Sequence, residues 1–134
     1  MVDIKRPLMV DRTRIGMTEY WIVNLPEYCG KILYLKKDYT CPLHYHKDKH
    51  ETFFIWKGRV EMEVEGEKIL MKPGDVLIME PGKKHKFTAL EEDAIIFEFS
   101  TEHKEEDSYF PDPQDKENAL KDVVVKEDYP WEFA

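Results

Sequence analysis

Three histidines and one glutamate have the side chains and the spacing to do metal chemistry. His44-Tyr45-His46 is followed by Glu51, and His85 stands just past the turn Pro81-Gly82. Imidazole nitrogen and carboxylate oxygen are donors for borderline divalent ions. A His-x-His pair on a strand presents both rings to one face, because strand side chains alternate with period two. Three neutral imidazoles and one carboxylate suit manganese, iron, cobalt, nickel or zinc, with positions left open for water or substrate.

The elements that must position these groups read as strands. Glu19 to Asn24 and Lys31 to Lys36 are aromatic and β-branched runs bounded by Pro26, Gly30 and Asp38. Leu43 to His46, Glu51 to Lys57, Arg59 to Glu65, Lys68 to Met71, Val76 to Met79, His85 to Leu90 and Ala94 to Ser100 follow. Turn chemistry separates them at Lys57-Gly58, Glu65-Gly66-Glu67, Pro73-Gly74-Asp75 and Pro81-Gly82. Many short strands at regular spacing define an all-β class, a sandwich or a barrel.

In Arg59 to Glu65, Val60, Met62 and Val64 share one face, and Glu61, Glu63 and Glu65 form a solvated stripe on the other. Glu51 to Trp56 is apolar on both faces: Phe53 and Ile55 lie with Glu51, Phe54 and Trp56 opposite. Both faces need cover: a second sheet can cover one, and the N-terminal strands or a partner subunit the other, with a homodimer as the expectation. Glu98 is the one carboxylate in the run Ala94 to Phe99 and shares a face with Ala94, Ile96 and Ser100. Facing a barrel interior, it could move protons beside a metal; facing out, it is a solvated strand residue. His103 either supports the site or is simply exposed. His50, beside Lys47, Asp48 and Lys49, reads as a solvated loop histidine.

The 134 residues fit one domain, 1–134, with a core barrel at about 20–101 and a tail at 102–134. In the tail, Asp115 to Leu120 could form a short helix, Val123 to Val125 is a β-branched run, and the terminal aromatics from Tyr129 to Phe133 should pack back. The net charge of −8 argues against nucleic acid. No apolar run has the length of a membrane span, and Met1 to Val10 lacks the apolar stretch of a signal peptide. Cys29 and Cys41 fit no zinc or redox spacing and read as reduced thiols. The expected location is cytoplasmic.

The strings His44-x-His46-x4-Glu51-x6-Gly58 and Gly74-x7-Gly82-x2-His85 resemble the two motifs of the cupin superfamily, over roughly residues 30 to 100. Three positions depart from the family pattern: Asp38 replaces the glycine that opens the first motif, Pro81 sits directly before Gly82, and Ala89 replaces a closing asparagine. The resemblance implies a double-stranded β-helix, or jelly-roll, with N-terminal strands and a short helical or irregular tail. It also implies that His44, His46, Glu51 and His85 hold a divalent ion, manganese or zinc for preference. Two further stretches, Leu43 to Lys47 with Glu51-Thr52-Phe53, and Phe97 to His103 with Asp107-Ser108-Tyr109, look like the small cupins grouped with D-lyxose isomerases. That likeness implies an aldose–ketose isomerase acting on a small sugar, with Glu98 as base and His103 in reserve. The alternatives are a metal-dependent dioxygenase and a sugar- or metabolite-binding module without catalysis.

Overall fold

The computed structural model describes residues 2–12 and 16–131. Among the described residues, ten strands form two antiparallel sheets. β1 (Leu8–Arg12), β2 (Met17–Asn24), β3 (Cys29–Leu35), β4 (Glu51–Lys57), β7 (Val76–Met79), β9 (Ala94–Ser100) and β10 (Val124–Lys126) make the larger sheet, in the order β10-β1-β2-β3-β9-β4-β7. β5 (Val60–Val64), β6 (Glu67–Met71) and β8 (His85–Ala89) make the smaller, in the order β6-β5-β8. The all-β jelly-roll expectation holds.

The core lies between the sheets because each strand alternates. Phe53 and Ile55 of β4, Leu33 and Leu35 of β3 and Ile96 of β9 meet Val60 and Met62 of β5 and Phe87 of β8, all buried. Burying a side chain of this size stabilises by ~1.5–3 kcal/mol. On the outside of β5, Glu61 and Glu63 reach toward Lys68 and Lys86 at 3.9 and 3.8 Å. Glu65 and Gly66 both have positive φ (49° and 84°), so β5 and β6 join through a tight turn whose twist matches the strands.

The motif glycine Gly58 has a steric reason to be there: φ is +80° and an added Cβ would lie 2.7 Å from the carbonyl oxygen of Asp93. The departure at Asp38 is conformationally faithful. Its φ is 69°, the left-handed region that glycine favours and that Asp tolerates better than most residues. Asp38→Gly should therefore raise stability by about 0.5–1 kcal/mol, the relief of strain being partly offset by the freer unfolded chain. A urea midpoint no higher than wild type would show that Asp38 is unstrained.

The larger sheet reaches beyond the expected core. β1 and β10 pair with each other at one edge, Met9 opposite Lys126 and Asp11 opposite Val124. Between β9 and β10 lie a 3-10 turn (Glu105–Asp107) and α1 (Pro113–Leu120). Pro113 opens α1, and the Asp112 carboxylate accepts the Gln114 N–H at 2.9 Å. α1 has no buried residue. The tail packs back as expected: the Tyr129 hydroxyl donates to the Pro7 carbonyl, and Tyr20 lies 6.0 Å from Tyr129 and 5.6 Å from Trp131, ring centre to ring centre. Phe133, also expected to pack, lies outside the described residues.

Candidate metal centre and its cavity

His44 and His46 sit on an irregular segment and not on a regular strand, a correction to the expectation for Leu43 to His46. Two isolated bridges do the strand's work. His44 and His85 exchange N–H···O bonds of 3.0 and 2.9 Å, and Tyr45 and Tyr109 exchange two of 3.0 Å. The first bridge joins the His44 segment to the start of β8, and Glu51 opens β4. All four expected residues therefore converge at one end of the space between the sheets.

Each histidine is oriented by a backbone carbonyl. Nδ1 of His44 meets Pro42 O at 2.8 Å, Nδ1 of His46 meets Asp107 O at 2.9 Å, and Nδ1 of His85 meets Lys83 O at 2.8 Å. A carbonyl only accepts, so Nδ1 carries the proton in all three rings and Nε2 offers a lone pair. One nitrogen from each ring lies within 4.8 Å of the others. The Glu51 carboxylate stands against them, Oε1 at 3.6 Å from His46 Nε2 and Oε2 at 3.4 Å from His85 Nε2. Glu51 Oε2 and His85 Nε2 are buried without a hydrogen-bond partner. Two buried acceptors facing each other with no donor between them are unfavourable, and a cation would satisfy both. The donor set fits a divalent ion.

Sequence reasoning missed Lys49. Its ammonium is buried and lies 2.9 Å from Glu51 Oε1, 3.4 Å from Glu98 Oε2 and 3.0 Å from His103 Nδ1. Burial disfavours this charge, yet Glu98 and Glu51 outweigh that, and the ammonium is held well above its ordinary range. The run Lys47-Asp48-Lys49-His50 reads as a solvated loop, and only His50 and its neighbours Lys47 and Asp48 follow that reading. Asp107 turns the loop: its carboxylate accepts the backbone N–H of Lys47 at 2.9 Å, of Asp48 at 3.2 Å and of Lys49 at 2.9 Å. Because the Asp107 carbonyl also orients His46, one residue of the 3-10 turn fixes both the ligand ring and the buried lysine.

Glu98 faces inward, and is buried, which resolves the alternative left open by its strand. His103 is in the site too. Its Nδ1 accepts from Lys49, its Nε2 lies 3.3 Å from Glu105, and its ring stands edge-on to Trp21 at 5.0 Å. Burial, followed by the charges of Lys31 and Lys49, pushes its pKa down to about 2. His103 is thus a neutral acceptor for Lys49. These groups open on a cavity of about 360 Å³, walled also by Trp21, Phe110 and the Ala119–Leu120 end of α1.

His44 and His46 are pushed down as well, to about 3 and about 4, by burial first and then by the His85 ring and the Lys49 ammonium respectively. Folded-state values below the ordinary 6.5 mean stability that is present above pH 6.5 and lost as pH falls toward the folded values. Chelator-treated protein should therefore begin to weaken near pH 6.5, losing roughly 2 kcal/mol or more by pH 5. Carboxylates alone would delay the loss to lower pH. A urea midpoint flat from pH 8 to 5 would show that these rings are not held neutral.

Two antiparallel sheets around an inward-facing histidine cluster are the architecture of a cupin, and the family model for the cupin domain matches residues 31–103. The chain belongs to the cupin family. It is 34% identical to the D-lyxose/D-mannose isomerase of Thermosediminibacter oceani over 79% of this chain and 74% of that one. It is 33% identical to the D-lyxose ketol-isomerase of Cohnella laeviribosi over 74% and 69% of the two chains. Among solved structures, KdgF from Halomonas sp. shares the fold, with a TM-score of 0.66 at 20% identity over 72% of this chain and 88% of that one.

Proposed function

We propose that this cupin is a metal-dependent aldose–ketose isomerase of small sugars, with His44, His46, Glu51 and His85 as the metal ligands. The observation that carries the reading is the inward Glu98 carboxylate, one buried lysine away from Glu51, in a cavity shared with the histidines. The likeness to sugar isomerases over about three quarters of the chain supports the same class. A bound divalent ion would polarise the carbonyl and hold adjacent substrate oxygens.

The chain's own residues do the rest. Glu98 takes the proton from the carbon next to the carbonyl and returns it to the neighbouring carbon, so that the substrate passes through an enediol. Lys49 balances Glu51 and Glu98 and donates toward the oxygen that gains charge. His103 holds Lys49 in place. Purified protein loaded with manganese should interconvert D-lyxose or D-mannose with its ketose. Inactivity across a broad sugar panel, with the metal verified in place, would sink this reading, and oxygen uptake by the iron-loaded protein would favour the dioxygenase alternative.

The outer face of the larger sheet supports a homodimer. Val76 and Ile78 of β7, Phe54 and Trp56 of β4, and Phe97 and Phe99 of β9 form one apolar surface, with Trp56 stacked on Phe97 at 5.5 Å. A second copy covering it would bury the rings that water now meets. Sedimentation velocity should find a dimer, and Trp56→Glu should turn it into monomer. A monomeric wild type would refute the assignment. Cys29 and Cys41 are both free and buried, which suits a reducing, cytoplasmic setting.

A further inference from the structure

Charged residues cross the inner face of the larger sheet from strand to strand. Following the sheet order, they are Glu51 on β4, Glu98 on β9, Lys31 on β3, Glu19 on β2 and Arg12 on β1. The signs alternate from Glu98 to Arg12, and Lys49 stands between the first two carboxylates. Four of the five are buried, and Arg12 is largely so. The isomerase reading uses the Glu51 end. It leaves the other end, which lines the same cavity, without a task.

At that end Glu19 takes its side-chain hydrogen bonds from two residues other than Lys31, whose charge also helps to keep it ionised. Arg12 Nε donates to its Oε2 at 2.7 Å, and the Trp21 indole N–H donates to its Oε1 at 3.1 Å. Lys31 differs. It is 3% exposed, its ammonium is 3.7 Å from Glu19 Oε1 and 4.0 Å from the centre of the Trp21 ring, and it hydrogen-bonds to no other described residue. A buried ammonium is expensive to hold without acceptors. Lys31 stands directly opposite Glu98 in the strand register and is one of the residues that line the cavity. Its strand is two places from β4, about 10 Å across the sheet. An extended five- or six-carbon chain with its carbonyl end at the histidines has its far hydroxyls there.

We infer that Lys31 is a specificity-determining residue that donates hydrogen bonds to the hydroxyl oxygens at the end of the sugar remote from its carbonyl. Arg12 is a positioning residue: it holds Glu19 and, through Nη1, the Ala119 carbonyl of α1, so the tail helix and the Lys31 wall are fixed together. This inference rests on the isomerase reading and adds the part of the substrate that the metal face does not touch.

The experiment is calorimetric titration of the metal-loaded protein with D-lyxose, D-mannose and their alditols, with elemental analysis of each sample. Lys31→Met should weaken sugar binding about 10- to 100-fold, the effect of losing a charged hydrogen bond, and raise KM more than it lowers kcat. Metal content should stay at the wild-type level, and Lys31→Arg should keep more affinity than Lys31→Met. A sugar lacking the terminal hydroxyl should bind wild type and Lys31→Met alike. Unchanged affinity in folded, metal-loaded Lys31→Met, with wild type still isomerising, would overturn this inference alone. A wild type that binds none of the sugars overturns the isomerase reading with it. Should Lys31→Met and Lys31→Gln both fail to fold, the lysine is structural and the inference falls.

Discussion

Glu98→Gln should lower kcat by about 10²- to 10⁴-fold, the range lost when a positioned general base is removed. The change keeps the shape of the side chain, and its amide oxygen can still accept from Lys49, so the fold and the metal content should hold. Proton transfer through an enediol exposes the moving proton to solvent. In D2O the wild type should place deuterium on the product carbon next to the carbonyl. In the variant, both turnover and that label should disappear together. A hydride passed directly between the two carbons would leave no solvent label and would make the reaction indifferent to Glu98. A variant with wild-type kcat therefore removes Glu98 from the chemistry, and unlabelled product from active wild type removes the enediol route.

How much of this could be read from the chain depended on whether a residue's environment was local. Glu51–Lys57, Val76–Met79 and Ala94–Ser100 are legible to the residue because their alternation and flanking turns are written in consecutive positions. The convergence of His44, His46, Glu51 and His85 was legible through motif spacing, although two bridges, not a strand, hold the pair. β1 was not legible, and β10 only as the β-branched run Val123 to Val125, because each is short and β10 is a strand by virtue of a distant partner: Met9 pairs with Lys126, 117 positions on, and Asp11 with Val124, 113 positions on. Lys49 was hidden for the same reason. Only the carboxylate of Asp107, 58 residues away, turns its backbone inward. Glu19 and Lys31 lie on strands that were recognised, and their period-two positions share the inner face with Trp21 and Leu33. A charge at an inward position of an apolar strand is a signal that could have found them. Glu98 was singled out on that signal.

Lys49→Met should destabilise the metal-free protein by about 3–5 kcal/mol, the effect of leaving a buried charge without its partner. Methionine fills a similar volume, so a cavity is not the cause. The cause is that one ammonium serves two buried carboxylates, Glu51 at 2.9 Å and Glu98 at 3.4 Å. The pH dependence separates this from a packing defect. Burial raises the pKa of Glu51, but Lys49 first, then the contacts of His85 and His46, hold it well below its ordinary 4.5. That is a lowered folded-state value, so the stability it carries is present above pH 4.5 and is lost as pH falls through the folded value. In the variant that contribution is gone at neutral pH, and protonation of Glu51 as pH falls relieves its unpaired charge. The deficit against wild type should therefore be largest near pH 7 and shrink toward pH 4 in urea denaturation. A deficit of equal size at both pH values would mean that Lys49 matters for its packing, and no deficit at all would mean that the two carboxylates do not need its charge.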